Sequence, residues 1–158
     1  MQFFRIAPEQ YLENYQGLGA SYRDGGRWNK PGQPVLYYAK SPATALLEMA
    51  NYIPSPRLLP ANFQLGIYEI PDSVQYYELP EKLLPANWAD FPYPLATQTI
   101  GGKWLEQCQT LFMLVPSAAV PKGLEKIIIV NPRHEECSKI KLIDSTHDLY
   151  NNRIFSGI

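Results

Sequence analysis

Three polar features of this 158-residue sequence occupy positions where they could do chemistry. The run Gly25–Asn29 places two glycines beside an arginine, a tryptophan and an asparagine in a predicted loop. Glycines let the backbone approach a ligand closely, and an arginine can hold a phosphate through two parallel hydrogen bonds. Glu48 follows two leucines in a predicted helix, and Ser117 follows a proline at the end of a predicted strand. Each feature also has an ordinary interpretation, respectively a core-filling turn, a solvated helix edge and a turn cap.

Other common chemistries lack their sequence signals. His134 and His147 have no metal-ligand spacing around them, so no metal site is predicted. Ser117 is not part of a Gly-x-Ser-x-Gly elbow, which argues against a hydrolase nucleophile. The pairs Gly17-x-Gly19 and Gly101-Gly102 match neither a phosphate-binding Walker loop nor a dinucleotide fingerprint, so the standard nucleotide folds are excluded.

Composition narrows the class of protein further. A net charge of −1 without a cationic cluster argues against direct nucleic-acid binding. Neither Cys108 nor Cys137 belongs to a zinc or redox motif, and both are expected to be free thiols. The N-terminus does not resemble a signal peptide and no apolar run is long enough for a bilayer, so we expect a soluble, cytoplasmic protein.

The predicted elements are short, because 15 prolines forbid a helical bundle. Together they indicate one compact, strand-rich α+β domain over residues 1–158. Helices are expected over Pro8–Asn14, from Ser41-Pro42 to about Tyr52 with an apolar face of Ala43, Leu46, Leu47 and Ala50, and from Thr99 or Gly101 onward. Strands are expected near 3–6, 35–39, 63–70, 74–79, 111–115, 127–130 and 140–143, with residues 17–34 as a loop and a polar tail at the end.

Several separate motifs resemble, in order, those of the RES-domain family, which is named for its Arg, Glu and Ser. The matching segments are Gly25–Asn29, Pro34–Tyr37, Ser41–Ala43 with Leu46–Glu48, Gly101–Trp104, Leu114–Ala118, and Asn131-Pro132 followed by His134. The resemblance as a whole spans roughly residues 4–135, nearly the whole chain. Such a series is far more specific than any single motif.

The resemblance implies a fold and a function. The implied fold is a single domain similar to the ADP-ribosyltransferases, a split pair of small β-sheets with flanking short helices and a cleft for NAD+. Family members are toxins of type II toxin–antitoxin systems, neutralised by a Xre-like helix-turn-helix antitoxin. They consume NAD+ as substrate, either degrading it as a glycohydrolase or phosphorylase or transferring ADP-ribose to a protein acceptor.

The resemblance also suggests roles for individual residues. Glu48 would stabilise the cationic ribose, Tyr37 would stack on nicotinamide, and Ser117 would orient the ribose or the amide. Arg5 matches an arginine near the family's N-terminus and would bind the pyrophosphate or the nicotinamide ribose, and Arg27 is the second candidate for that role. We expect Arg5, Tyr37, Glu48 and Ser117 to converge on one cleft.

Some alternatives stay open at the level of sequence. Tyr22, Trp28 and Asn131 either shape the pocket from behind or pack in the core. The attacking nucleophile is water, phosphate or a protein side chain, since the residues do not distinguish them. A non-catalytic module that binds a nucleotide or a protein with the same fold is the alternative function. An RNA-cleaving toxin is disfavoured by the near-neutral charge and the isolated histidines.

Overall fold

The computed structural model describes residues 1–53, 55, 58–151 and 153–154. Within these residues the strands are β1 (Gln2–Pro8), β2 (Leu36–Ala39), β3 (Phe63–Glu69), β4 (Tyr76–Glu78), β5 (Phe112–Pro116), β6 (Lys126–Val130) and β7 (Lys141–Thr146). The α-helices are α1 (Ala20–Asp24), α2 (Pro42–Ala50) and α3 (Leu95–Gln107). Short 3-10 turns cover Glu9–Tyr11, Glu81–Leu83, Pro121–Gly123 and Glu135–Lys139.

The seven strands form one sheet in the order β4-β5-β6-β2-β1-β3-β7. All neighbouring strands are antiparallel except β4 and β5. Strands β1 and β2 share only the pair Phe4↔Ala39, whereas β1 and β3 pair along the whole of β1. The two small sheets that the resemblance implied are joined here into one hydrogen-bonded sheet, which is nearly divided between β1 and β2. The predicted single-domain α+β fold is confirmed.

The two faces of the sheet carry different elements, because successive side chains of a strand point to opposite faces. Tyr38 lies on one face, in a core cluster with Phe3 of β1. Tyr37 lies on the other, which we call the helix face. There α3 packs over β5 and β6, and α2 packs over Ala39 and Leu65 in a separate cluster. Strand β2 therefore underlies the seam between α2 and α3.

Local sequence signals predict correctly where α2 begins, but they do not predict where α3 begins. The Ser41 hydroxyl accepts a hydrogen bond from the Thr44 amide, and Pro42 occupies the first helical turn, as predicted. Helix α3 begins at Leu95 directly after Pro94, ahead of the predicted start. The predicted helix over Pro8–Asn14 is wrong, because β1 extends to Pro8 and only a 3-10 turn follows.

Cys108 and Cys137 are free thiols, as predicted. In the described ranges, no helix combines the length and apolarity that crossing a bilayer requires.

Candidate active site

The centre of the candidate site is a hydrogen bond between two elements that are far apart in sequence. Ser117 Oγ donates to Glu48 Oε1 at 2.6 Å, joining the end of β5 to α2. The other carboxylate oxygen, Oε2, accepts a hydrogen bond from the side-chain Nδ2 of Asn51 at 3.4 Å. Glu48 is half-buried on the helix face. Its carboxylate is thus held in one orientation while part of it stays accessible.

Ser117 is buried completely, and both its backbone and its side chain are held by hydrogen bonds. The Ser117 amide donates to the Glu125 carbonyl at 2.9 Å, and its hydroxyl oxygen accepts from the Ala119 amide at 3.2 Å. The hydroxyl proton is therefore committed to Glu48. In this structure Ser117 orients the carboxylate instead of presenting its hydroxyl to a ligand.

Arg27 lies on the same face, at the seam between the helices. Its Nη1 donates to the carbonyls of Trp88 and Asp90 at 2.6 and 2.7 Å, and its guanidinium carbon lies 5.2 Å from the centre of the Tyr93 ring. The guanidinium is thus fixed in place by the loop before α3. Its Nε and Nη2 donors bond to no other residue among those described, so they remain available for an anionic ligand.

Tyr37 holds the loop that carries Arg27. Its hydroxyl donates to Asn29 Oδ1 at 2.7 Å and accepts from the Trp28 amide at 3.1 Å. The Asn29 side-chain nitrogen in turn donates to the carbonyls of Ser21 and Lys30. Burial raises the pKa of Tyr37, so this phenol stays protonated. The hydroxyl is fully engaged, and the ring is half-buried against the cluster beneath α3, so a ligand can meet only its remaining exposed part.

Two further tyrosines, which the sequence analysis did not single out, border the same region. The hydroxyls of Tyr52 and Tyr93 are 3.2 Å apart. Burial, the bond to Tyr93 and the negative charge of Glu48 raise the pKa of Tyr52, whereas Arg27 lowers it. Glu48 and Arg27 thus act on one phenol from two elements. Tyr52 lies in the turn that follows α2, where its amide donates to the Met49 carbonyl, and no motif in the sequence marked it.

Helix α3 fixes the Arg27 loop from behind. The Gln98 side-chain nitrogen donates to the Gly26 carbonyl at 3.0 Å. One turn later, Gly101 packs so closely on the loop that an added Cβ would lie 1.9 Å from the Trp28 carbonyl oxygen. The two glycine motifs of the sequence, Gly25-Gly26 and Gly101-Gly102, are therefore parts of one contact.

Arg5 is not brought to this group. Its guanidinium carbon lies 5.8 Å from the centre of the Tyr38 ring, on the face opposite Tyr37, and its Nη1 is 3.5 Å from the Asn14 carbonyl oxygen. Helix α2 packs on the other side of β1, against Phe4 and Ile6. Of the four residues expected to converge, Glu48 and Ser117 are in direct contact. Tyr37 lies on the same face of the sheet, bonded to the loop that carries Arg27, and Arg5 lies on the other face.

The remaining sequence candidates pack as core or loop residues. Trp28 is fully buried in the cluster beneath α3. Asn131 is also fully buried, and its side chain bridges the Leu105 carbonyl and the Arg133 amide. It follows the end of β6 that pairs with Leu36, opposite the end near Ser117. Tyr22 is half-buried in α1, and its carbonyl accepts from the Gly32 amide.

The arrangement has a defined chemical capacity. A fixed carboxylate stabilises a developing positive charge, and an arginine with unused donors binds a phosphate. Tyrosine rings beside them offer flat surfaces for an aromatic base. Among the residues that the structure describes, no group of three or more His, Cys, Asp or Glu side chains is placed to hold a metal ion.

The amino-acid sequence of the chain is similar to those of known proteins. The RES domain family model matches residues 2–151. A protein named Toxin Res from Yersinia enterocolitica is 38% identical over 136 residues, covering 85% of this chain and 86% of that protein. The Prs ADP-ribosylating toxin of a Sphingobium strain is 33% identical over 158 residues, covering 96% and 95% of the two chains.

A solved structure shares the fold. The chain matches the M. tuberculosis MbcT–MbcA toxin–antitoxin complex with a TM-score of 0.70 and 18% sequence identity, covering 92% of this chain and 82% of that one. At this identity the likeness establishes a common fold.

Proposed function

Since this chain belongs to the RES-domain family, we propose that it is the toxin of a toxin–antitoxin pair and that it cleaves the nicotinamide–ribose bond of NAD+. The observation that carries the proposal is the Glu48 carboxylate, held at 2.6 Å by the buried Ser117 on the face where Arg27 keeps unused donors. The name of the Sphingobium relative supports an ADP-ribosyl donor as substrate.

The proposed chemistry follows from the charges. Breaking the bond between nicotinamide and ribose develops a positive charge at the ribose, as in glycoside hydrolysis. Glu48 stabilises that charge, and Ser117 keeps its carboxylate oriented. Nicotinamide leaves as a neutral molecule, so the step needs no general acid. Arg27 would bind the pyrophosphate through its remaining N–H donors. Tyr37, Tyr52 and Tyr93 would supply aromatic surface on which an aromatic ring of NAD+ can stack.

The direct test is incubation of the purified chain with NAD+, followed by chromatographic measurement of free nicotinamide. Release at a rate proportional to protein concentration supports the proposal. The product identifies the acceptor. Free ADP-ribose indicates water, ADP-ribose 1-phosphate indicates inorganic phosphate, and ADP-ribose attached to a protein indicates transfer to that protein. Binding of NAD+ without nicotinamide release, in the presence of phosphate and of cell extract, would contradict the enzyme and favour a non-catalytic binding module.

The structure favours Arg27 over Arg5 as the essential arginine, and paired variants test this. Arg27→Gln is expected to lower kcat/KM for nicotinamide release by at least about 10-fold, the scale of one lost charged hydrogen bond. Arg5→Gln is expected to keep kcat/KM within about 3-fold, because Arg5 lies on the opposite face of the sheet. Unfolding midpoints in urea serve as the control for both variants. The reverse ranking, at equal stability, would return the role to Arg5.

An antitoxin partner is proposed from the neighbour of the same fold, which is a toxin–antitoxin complex. We expect a Xre-like antitoxin to cover the seam beside residues 17–34, a segment expected to be a loop that in the structure contains α1. Within this segment Arg23 is paired with Asp24, which leaves Arg27 and Lys30 as the cations without an acidic partner among the described residues.

Competition binding tests this mode of inhibition. The antitoxin encoded beside the gene is expected to lower the affinity for NAD+ in proportion to its concentration, because both molecules occupy the seam. The measurement is calorimetric titration of NAD+ into the Glu48→Gln protein, with and without antitoxin, so that turnover does not interfere. Simultaneous binding with unchanged affinities would show that inhibition does not act by occlusion.

A further inference from the structure

The segment that follows β7 folds back over the helix face. Leu149 is 8% exposed and packs in the cluster that holds Ala39, Ala45 and Leu65. The segment is anchored at its start by a hydrogen bond of 3.1 Å between Gln64 Nε2 and His147 Nε2. Gln64 is almost fully buried. This part of the chain, expected from the sequence to be a polar tail, is therefore a packed strap over residues 147–150.

The strap is bonded directly to α2. The Tyr150 hydroxyl donates to the Leu46 carbonyl at 2.6 Å, across 104 positions of sequence. Leu46 lies two residues before Glu48 on the same short helix. The family model also extends through this segment, to residue 151. The bond thus fixes the helix backbone close to the point from which the candidate carboxylate projects.

Helix α2 depends on such contacts because it is short. It has nine residues, and helices below about 12 residues are marginal on their own in water. Its N-terminus is held by the Ser41 cap and its middle by Ala45 in the cluster. The Tyr150 bond restrains the second half, where Glu48 lies. A misplacement of about 1 Å at a reacting group is enough to cost much of a catalytic rate.

We propose that Tyr150 is a positioning residue for Glu48: through the Leu46 carbonyl it sets the rotation and height of α2, so that the carboxylate meets Ser117 and the substrate. This inference rests on the proposed function for its catalytic consequence. Its structural part, the restraint of α2 by the strap, stands independently of the reaction.

The kinetic test compares Tyr150→Phe with the wild-type chain. Phenylalanine keeps the ring in its packing and removes only the hydroxyl. The expected result is a fall in kcat for nicotinamide release of about 5-fold, with KM for NAD+ within about 2-fold, because the carboxylate acts on the transition state and binding relies on other residues. Tyr11→Phe, at a tyrosine that is 48% exposed, is the matched control and should leave both constants unchanged.

Amide hydrogen exchange supplies a readout that does not depend on activity. In Tyr150→Phe the amides of the second half of α2 are expected to exchange about 5-fold faster, with those of β5 and β6 unchanged, because loss of the bond loosens the helix locally. The inference is supported only when both the kcat and the exchange change as stated. Unchanged exchange in α2, or a full kcat, would overturn it.

The two proposals fail in distinguishable ways. If the wild-type chain releases no nicotinamide, the proposed function fails, and the exchange measurement still decides whether Tyr150 restrains α2. If the wild-type chain is active and Tyr150→Phe matches it in both measurements, the proposed function stands and the positioning role is refuted.

Discussion

Glu48→Gln is expected to lower kcat/KM for nicotinamide release by at least ~10²-fold, the effect of losing one preorganised electrostatic contact. Glutamine keeps the size of the side chain and can still accept the Ser117 hydrogen bond at 2.6 Å. The substitution removes the negative charge that would stabilise the cationic ribose. Expression of the variant in bacteria should correspondingly be tolerated, whereas expression of the wild-type chain should arrest growth and deplete NAD+ or modify a protein.

A neighbouring carboxylate provides the control. Glu125 is exposed, and among the described residues its side chain bonds only to the Thr44 hydroxyl, at 3.5 Å. Glu125→Gln removes the same charge a short distance from Ser117 and should keep the activity within about 3-fold. Equal unfolding midpoints would show that both variants fold. Full activity of Glu48→Gln would make Glu48 a structural residue and would end the proposed mechanism.

The sequence drew attention to Glu48 and Ser117 separately, and the family resemblance made both of them members of a group expected to converge. Glu48 belongs to a helix with a clear N-cap, and Ser117 ends an apolar run of strand length. The direct hydrogen bond between them depends on how α2 crosses the sheet after β2. Nothing in the spacing of 69 residues fixes that crossing.

The choice between the two arginines could not be made from the sequence, because it depends on strand pairing. Phe4 pairs with Ala39, so Arg5 falls beside Tyr38 and away from the helix face. The alternation within β1 was predicted correctly, since Phe4 and Ile6 share a face. Which of the two faces receives α2 is decided by tertiary packing, and that packing leaves Arg5 on the face opposite the candidate site.

Periodicity also misjudged the buried face of α2. The pattern predicted an apolar face that included Leu47, yet Leu47 is 50% exposed and the buried residues are Thr44 and Ala45. Small side chains allow the helix to lie close to the sheet, so the contact face is set by fit as well as by hydrophobicity. The exposed Leu47 shows that apolar spacing alone does not determine how a short helix is rotated.

The second large effect is expected at Gly101, which the sequence presented only as a member of a motif. In an ordinary helix interior, alanine is more favourable than glycine by about 1 kcal/mol. At Gly101 the new Cβ would lie 1.9 Å from the Trp28 carbonyl oxygen. The Trp28 backbone cannot move away without loss of other contacts, because its side chain is fully buried and its amide donates to the Tyr37 hydroxyl. Gly101→Ala is therefore expected to lower the free energy of unfolding by about 2 kcal/mol or more.

The adjacent glycine supplies a control within the same helix. A Cβ at Gly102 would lie 2.9 Å from the end of the Gln33 side chain, which can move aside. Gly102→Ala should therefore stay within about 1 kcal/mol of wild type, whereas Gly101→Ala should lower the midpoint of thermal unfolding by at least about 4 °C. Because the displaced loop carries Arg27, Gly101→Ala should also raise KM for NAD+ in whatever fraction remains folded. Equal stability and equal KM for the two variants would show that the contact between α3 and the loop does not position Arg27.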